Sequence, residues 1–420
     1  MINSKIKIFL KALGPGILFA SMAIGTSHLV LSTKAGATYG ILMAIPIALA
    51  NILKYPFFEF GVRYTQSTET SLIEGYSRRG KTYLYLYGLI TLVSTFTVLS
   101  ALYSVTTGLL ANLMKWNEIP LEYISAGLFL FITSILVIGR YRFLEQALKI
   151  IISVLFFALL ATAIMVINDG KAPVIDTFEA PKWFDKVGVL FLISLVGWMP
   201  TAVEASGWVS MWSLEKMKSK RFKPNFTQAM REFDTGYWLT AILAFFFLIM
   251  GYYTLYGSGN QLSESSVAFA NDLVELFTVQ LGSWAYALIA TAAFATMFST
   301  CMTAHDAVAR VSNAVLQELK WIVKKKSSTK LQFAIMVIVL GIVNWVVINV
   351  FSSNMMFLVG LATSTSFVFA PIIGYMNLKN IKGEEMNPDH SPSKQMILLT
   401  YTGMFFLGVF ALYYLYLQFS

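Results

Sequence analysis

Chemistry in this chain concentrates in two short runs, each set inside a long apolar stretch. The first is Gly25-Thr26-Ser27-His28, which follows apolar Ile17–Ile24 and precedes Leu29-Val30-Leu31. At bilayer depth an unpaired backbone group costs several kcal/mol, so a break of this kind survives only where it lines a cavity within protein. Helices broken near mid-depth are how many secondary transporters build their substrate sites, and GTSH is expected to be half of one. The alternative is a helix kinked at Gly25 with His28 bonded to a neighbouring helix. The second run is Met199-Pro200-Thr201, in the middle of VGVLFLISLVGWMPTAVEASGWVSMW. Proline removes a backbone donor and clashes with the preceding turn, so this span should break too. Glu204 follows one turn later. An ionisable residue inside a span is a functional candidate by default, and a neutral, hydrogen-bonded glutamic acid is the other reading.

The elements that must position these runs are membrane spans. The 420 residues are 57% hydrophobic and only 13% charged, with a mean hydropathy of +0.66. Soluble domains carry roughly 25% charge, so the fold class is an all-α polytopic membrane protein. Windows of about 20 apolar residues predict eleven spans, near 14–37, 40–64, 84–114, 121–139, 147–167, 187–213, 235–257, 283–313, 331–351, 354–377 and 396–418. Arg78, Arg79 and Lys81, Arg140 and Arg142, the run Lys216 to Lys223, Lys324–Lys326, and Lys379 and Lys382 all fall on the side of the basic N-terminus. The opposite loops are poor in Lys and Arg: residues 258–282 contain none. By the excess of positive charge on cytoplasmic loops, the N-terminus is expected in the cytoplasm and the C-terminus outside, in the cell (inner) membrane. That asymmetry also accounts for the net charge of +9 without any nucleic-acid partner.

Other classes find little support. Cys301 is the lone cysteine, which excludes an intramolecular disulfide and a thiolate cluster. The three histidines are 28, 305 and 390. No Ser/His/Asp spacing and no Gly-rich phosphate loop is present, so an enzyme is not expected, nor a cofactor. Lys5, Lys7 and Lys11 precede the first span without a small-residue cleavage site, and no cleaved signal is expected. The expected partners are the bilayer and a small solute, for a monomer.

The first and sixth expected spans occupy corresponding places if spans one to five and six to ten form two repeats. Here a resemblance enters. GPG…ASMA…AGATYG followed by LANILKYPFFEFGVRYTQSTETSLIEGYSRR resembles the first two helices of the Nramp divalent-metal transporters. WMPTAVEAS resembles that family's sixth-helix site, YRFLEQALKIIISVLF its fourth-to-fifth helix junction, and FANDLVELFTVQLGSWAYALIATAAFATMFST the approach to its eighth helix. The similarity covers roughly residues 11–375. It implies a LeuT-like fold of 5+5 inverted repeats plus an extra helix, as a single transporter domain over 1–420. Residues 1–13 would be the cytoplasmic N-terminus, about 14–167 and 187–377 the repeats, and 396–418 the extra helix.

The departures from the family pattern bear on the site. Members that carry manganese or iron have Asp-Pro-Gly-Asn where this chain has Gly25, Thr26, Ser27 and His28, and Met-Pro-His where it has Met199-Pro200-Thr201. The third-helix acids tied to proton movement fall around Tyr103–Thr107, and the fourth-helix aspartate near Ser134, so coupling to protons by that route is not expected. The inherited shell is His28, the Met199 sulfur, the Ser27 and Thr201 hydroxyls, and carbonyls freed near Gly25 and Val196. Imidazole and thioether suit soft or borderline ions more than Mg(II) or Ca(II). Without a carboxylate the shell is weak unless Glu204 contributes, so His28, Met199 and Glu204 are the expected metal ligands. A Gly-Thr-Ser break with exposed amides also resembles the carboxylate cradle of amino-acid transporters in the wider superfamily, where Trp198, Trp208 and Trp212 could shape an organic-solute pocket. A non-transporting membrane sensor is a third reading. Asp306 with Arg310 and Glu59 with Arg63 are spaced to pair along a helix face, as structural or gating ion pairs. His305 could face the cavity or a neighbour, and Lys149 is expected to snorkel at the end of the fifth span.

Overall fold

The computed structural model describes residues 15–116, 118–138, 156–218, 224–260, 262–323, 329–350 and 355–419. Among these the protein is all helix, with no strand. The first span consists of α1 (Pro15–Ala23) and α2 (Ser27–Tyr39), the latter built largely of wide i→i+5 turns. Then follow α3 (Ala44–Thr68), the short α4 (Leu72–Arg79), α5 (Lys81–Met114) and α6 (Leu121–Ile138), and α7 (Phe156–Asp169). The second half holds α8 (Lys186–Trp198), α9 (Ala205–Lys218), α10 (Phe226–Leu255), α11 (Ser266–Leu281), α12 (Tyr286–Glu318), α13 (Thr329–Val350), α14 (Met355–Ile381) and α15 (Lys394–Phe419). Eight of these are individually long and apolar enough to cross a bilayer, and the bent pair α1–α2 makes a ninth. Helices α7 and α8 are apolar but shorter. Lys149, Arg140 and Arg142, with the first part of the expected fifth span, lie outside the described residues.

The bundle has an inside and a rim. In the most apolar stretch of α12, 78% of residues are buried, and in α5, 67%, whereas α15 buries 22% and α13 28%. Leu130, Phe405 and Leu412 stand fully outward at the rim, as side chains facing lipid do. Because lipid is as apolar as leucine, helices in a bilayer associate through close backbone approach at small residues. The first span shows this against α10. A Cβ on Gly16 would lie 2.4 Å from the Glu232 carbonyl oxygen, and one on Gly236 2.2 Å from that of Gly16. Further along, a Cβ on Gly36 would lie 2.0 Å from Leu248 O, and one on Gly251 2.0 Å from Thr33 O. The Glu232 carboxylate also accepts from the amides of Gly16 at 2.8 and 2.9 Å and of Ile17 at 3.2 Å. It thereby occupies the positive end of α1. Gly16 is thus a point where the first span locks onto α10.

Candidate functional site

In each of the two expected stretches one helix stops and another starts. Helix α1 stops at Ala23 and α2 starts at Ser27, with a bend of 46° between them. The interruption falls at Ile24–Thr26, slightly ahead of the GTSH run, so His28 already stands on the first wide turn of α2. Helix α8 ends at Trp198 and α9 begins at Ala205; between them Met199 is extended (φ −93°, ψ 118°) and the Met199–Pro200 peptide is cis. The two breaks touch: the Ser27 hydroxyl lies 3.1 Å from the Pro200 carbonyl oxygen. Between them is a small cavity of about 20 Å³, room for about one water. Thr26, Ser27, Thr201 and Thr300 are its polar lining residues, and Trp198 and Trp208 form part of the wall.

Each broken end needs new partners for its backbone. At the first break the Thr300 hydroxyl of α12 meets the Ser21 and Ile24 carbonyls at 3.0 and 3.4 Å. Thr300 packs so closely that a Cβ on Gly25 would lie 2.8 Å from its Cγ2. At the second break the partner is a charge that sequence reasoning passed over. The Lys54 ammonium of α3 donates to the carbonyls of Val196 at 2.9 Å, Gly197 at 2.9 Å and Thr201 at 3.0 Å. Lys54 is fully buried. The signal available was a lone lysine in mid-span, the same signal that singled out Glu204.

The expected ligands do not gather. His28 turns toward α10: its Nε2 lies 2.9 Å from the Thr240 carbonyl oxygen and so carries hydrogen, and its Nδ1 meets the Ser27 hydroxyl at 2.8 Å. Both ring nitrogens are occupied, as in the alternative of a kinked helix with a bonded histidine. Met199 is fully buried, and neither it, His28 nor Glu204 lines the cavity. Glu204 sits behind it, with Oε1 accepting from Ser94 of α5 at 2.7 Å and Ser366 of α14 at 2.8 Å. Trp198 Nε1–H donates to Ser366 at 3.1 Å, which leaves the Ser366 hydrogen for Glu204. Glu204 Oε2 is buried and has no hydrogen-bond partner among the described residues. No trio of His, Cys, Asp and Glu able to hold a metal ion occurs among the described residues. Of the expected set, Thr26, Ser27 and Thr201 meet at the cavity, Gly25 is sealed by Thr300, and Val196 is taken by Lys54.

The spaced charges pair elsewhere. Asp306 and Arg310 join through two contacts, at 2.8 and 3.0 Å, and Trp212 donates to Asp306 at 3.4 Å. Arg63 grips Glu59, with Nη1 on the His390 carbonyl at 2.7 Å. His305 faces a neighbour, with Nδ1 2.8 Å from the Tyr103 hydroxyl and Nε2 3.0 Å from the Val337 carbonyl. Ser134 lies on α6, its hydroxyl turned back to Leu130 O at 2.7 Å.

The helical membrane bundle in which these breaks meet has a LeuT-like fold, as its likeness to solved structures shows. The chain belongs to the Nramp family of membrane transporters, whose model, described as natural resistance-associated macrophage protein-like, matches residues 16–416. The Pasteurella multocida protein PM0681 is 32% identical over 409 residues, covering 96% of this chain and 92% of that one. Among solved structures, a point mutant of an Eremococcus coleocola manganese transporter superposes with a TM-score of 0.70 at 14% identity, over 98% of this chain and 87% of that one. MhsT in complex with L-phenylalanine gives 0.64 at 14% identity, over 96% and 98%.

Proposed function

We propose that this protein is a secondary transporter that moves a small solute by alternating access around the paired breaks, and that the arrangement described above is an occluded one. The observation that carries this is the contact of Ser27 with Pro200 O over a cavity with room for about one water. Family membership and the likeness to a manganese transporter support a metal cation of the Mn, Fe or Zn class as the substrate. It would bind at a site without the usual aspartate. The ligands would be His28, Met199 and Glu204, helped by the Ser27 and Thr201 hydroxyls. Loading then requires the His28 ring to leave Thr240 O and Glu204 to offer its unpartnered Oε2. A small organic solute such as an amino acid is a second reading, favoured by one observation: the Val196 and Thr201 carbonyls already hold a cation of the protein's own.

Calorimetric titration with Mn(II), Zn(II) and Mg(II), followed by uptake into proteoliposomes, tests the choice. On the metal reading Mn(II) or Zn(II) gives heat, His28→Ala weakens it, and Met199→Ala relaxes selectivity toward hard ions. No heat from any of the three, with uptake of an amino acid from a mixture, would transfer the proposal to the organic solute.

A further inference from the structure

A broken helix in a bilayer leaves carbonyls that water cannot reach, and each must find a donor or a cation. At the break between α8 and α9 the carbonyls of Val196, Gly197 and Thr201 converge on the Lys54 nitrogen at 2.9–3.0 Å, and Val196 O also accepts from the Met199 amide at 3.3 Å. Carbonyl oxygens only accept, so three of them on one nitrogen need three N–H groups. An ammonium has three, a neutral amine two. The carbonyls of Val196 and Gly197 belong to the last turn of α8, the negative end of that helix. Glu204 stands three residues beyond Thr201, and its Oε2 has no hydrogen-bond partner among the described residues. Convergent carbonyls that replace a hydration shell, with one carboxylate near, are the chemistry of a monovalent-cation site.

We infer that the sixth-span break is a monovalent-cation site that the chain fills permanently with its own Lys54. The ammonium does what a bound alkali cation would do: it holds α8 against α9 through their freed carbonyls. With the site filled by a covalent tenant, the protein has no need of Na⁺ or K⁺ to keep the break closed. Removing the tenant should uncover a site for an alkali cation or a short alkylammonium. The significance for transport rests on reading the paired breaks as the transport site, whereas occupancy of the carbonyl site does not.

The test uses purified full-length protein with no substrate present, so its outcome is separate from that of the uptake and titration experiments. Thermal unfolding is followed at equal ionic strength in choline, sodium, potassium and propylammonium chloride. The wild type should melt at one temperature in all four. Lys54→Ala should melt lower in choline and recover in a saturable manner with sodium, potassium or propylammonium. Adding Glu204→Gln should weaken that recovery several-fold by removing the carboxylate. Lys54→Met keeps most of the stem's bulk without charge and should melt low in choline. A Met variant as stable as wild type in choline would overturn the inference. So would an Ala variant that no cation restores, including one recovered unfolded in every salt, or a wild type whose melting moves with sodium or potassium.

Discussion

The Cα hydrogens of Gly25 leave room for the Thr300 methyl of α12, and a Cβ in their place would stand 2.8 Å from Thr300 Cγ2 and 3.0 Å from its Oγ1. Gly25→Asp, which restores the carboxylate of the metal-carrying pattern, should therefore destabilise the protein by about 1–3 kcal/mol through overpacking. Combined with Thr300→Ala the cost should shrink, and a double-mutant cycle on melting temperature measures the coupling; strict additivity would mean that Thr300 is not what excludes the side chain. At Glu204 the two hydroxyls of Ser94 and Ser366 both donate to Oε1. Glu204→Gln retains an acceptor and should be tolerated, while Glu204→Ala strands both hydroxyls and should cost about 1–3 kcal/mol. Equal melting of the two variants would contradict this. The contrast between Glu204 and Lys54 shows what was legible at this scale. Each announces itself as a charge in an apolar run, but the partners of Lys54 are backbone carbonyls 142 to 147 residues away, and carbonyls have no residue type to read. His28 was legible as a polar residue at a break, but not the direction of its ring. That direction depends on the wide turns of α2, which alter the angular step per residue.

Among the elements, the interrupted spans were the part most open to reading, because proline at 200 and the small-polar run at 25–28 act locally on the backbone. Where each helix resumes was not, since the break at Ile24–Thr26 is finished by Thr300 from a distant helix. The attachment of α1 to α10 gives a sharp expectation. Glu232→Ala removes the acceptor from the Gly16 and Ile17 amides and should loosen α1 by about 1.5–3 kcal/mol, the range for hydrogen bonds to a charged group. Hydrogen exchange should rise over residues 15–23 and stay level in α12; unchanged exchange in α1 would remove the role given to Glu232. The segment after α14 is held to α4 by Arg79 on Glu385, with Tyr64 donating to the same carboxylate at 2.8 Å. Burial alone would raise the Glu385 carboxyl, but the hydrogen bonds from Arg79 and Tyr64 outweigh it and hold it below its ordinary value. A lowered carboxyl stabilises the fold above the ordinary carboxylate range and loses that contribution as pH falls through the lowered value. The attachment should accordingly persist at neutral pH and loosen only in acid, as exchange of residues 383–386 would record. Glu385→Gln should be loose at both pH values.

For the whole molecule, the basic loops lead us to expect the N-terminus in the cytoplasm and the C-terminus outside. A reporter that is active only in the cytoplasm should be silent when fused after Ser420, and activity there would reverse the orientation. The third span offers Tyr103, Thr106 and Thr107, whose hydroxyls do not ionise near neutrality, so uptake should proceed without marked acidification of the vesicle lumen. Acidification with a stoichiometry near one proton per solute would point to another carrier, with Glu204 the first to examine. The cavity at the breaks has an electrical consequence as well. A space of about 20 Å³ admits about one water and cannot hold the continuous file that would conduct ions or relay protons from face to face. On the occluded reading the protein should therefore insulate, and a planar bilayer loaded with it, solute absent, should show the leak conductance of bare lipid.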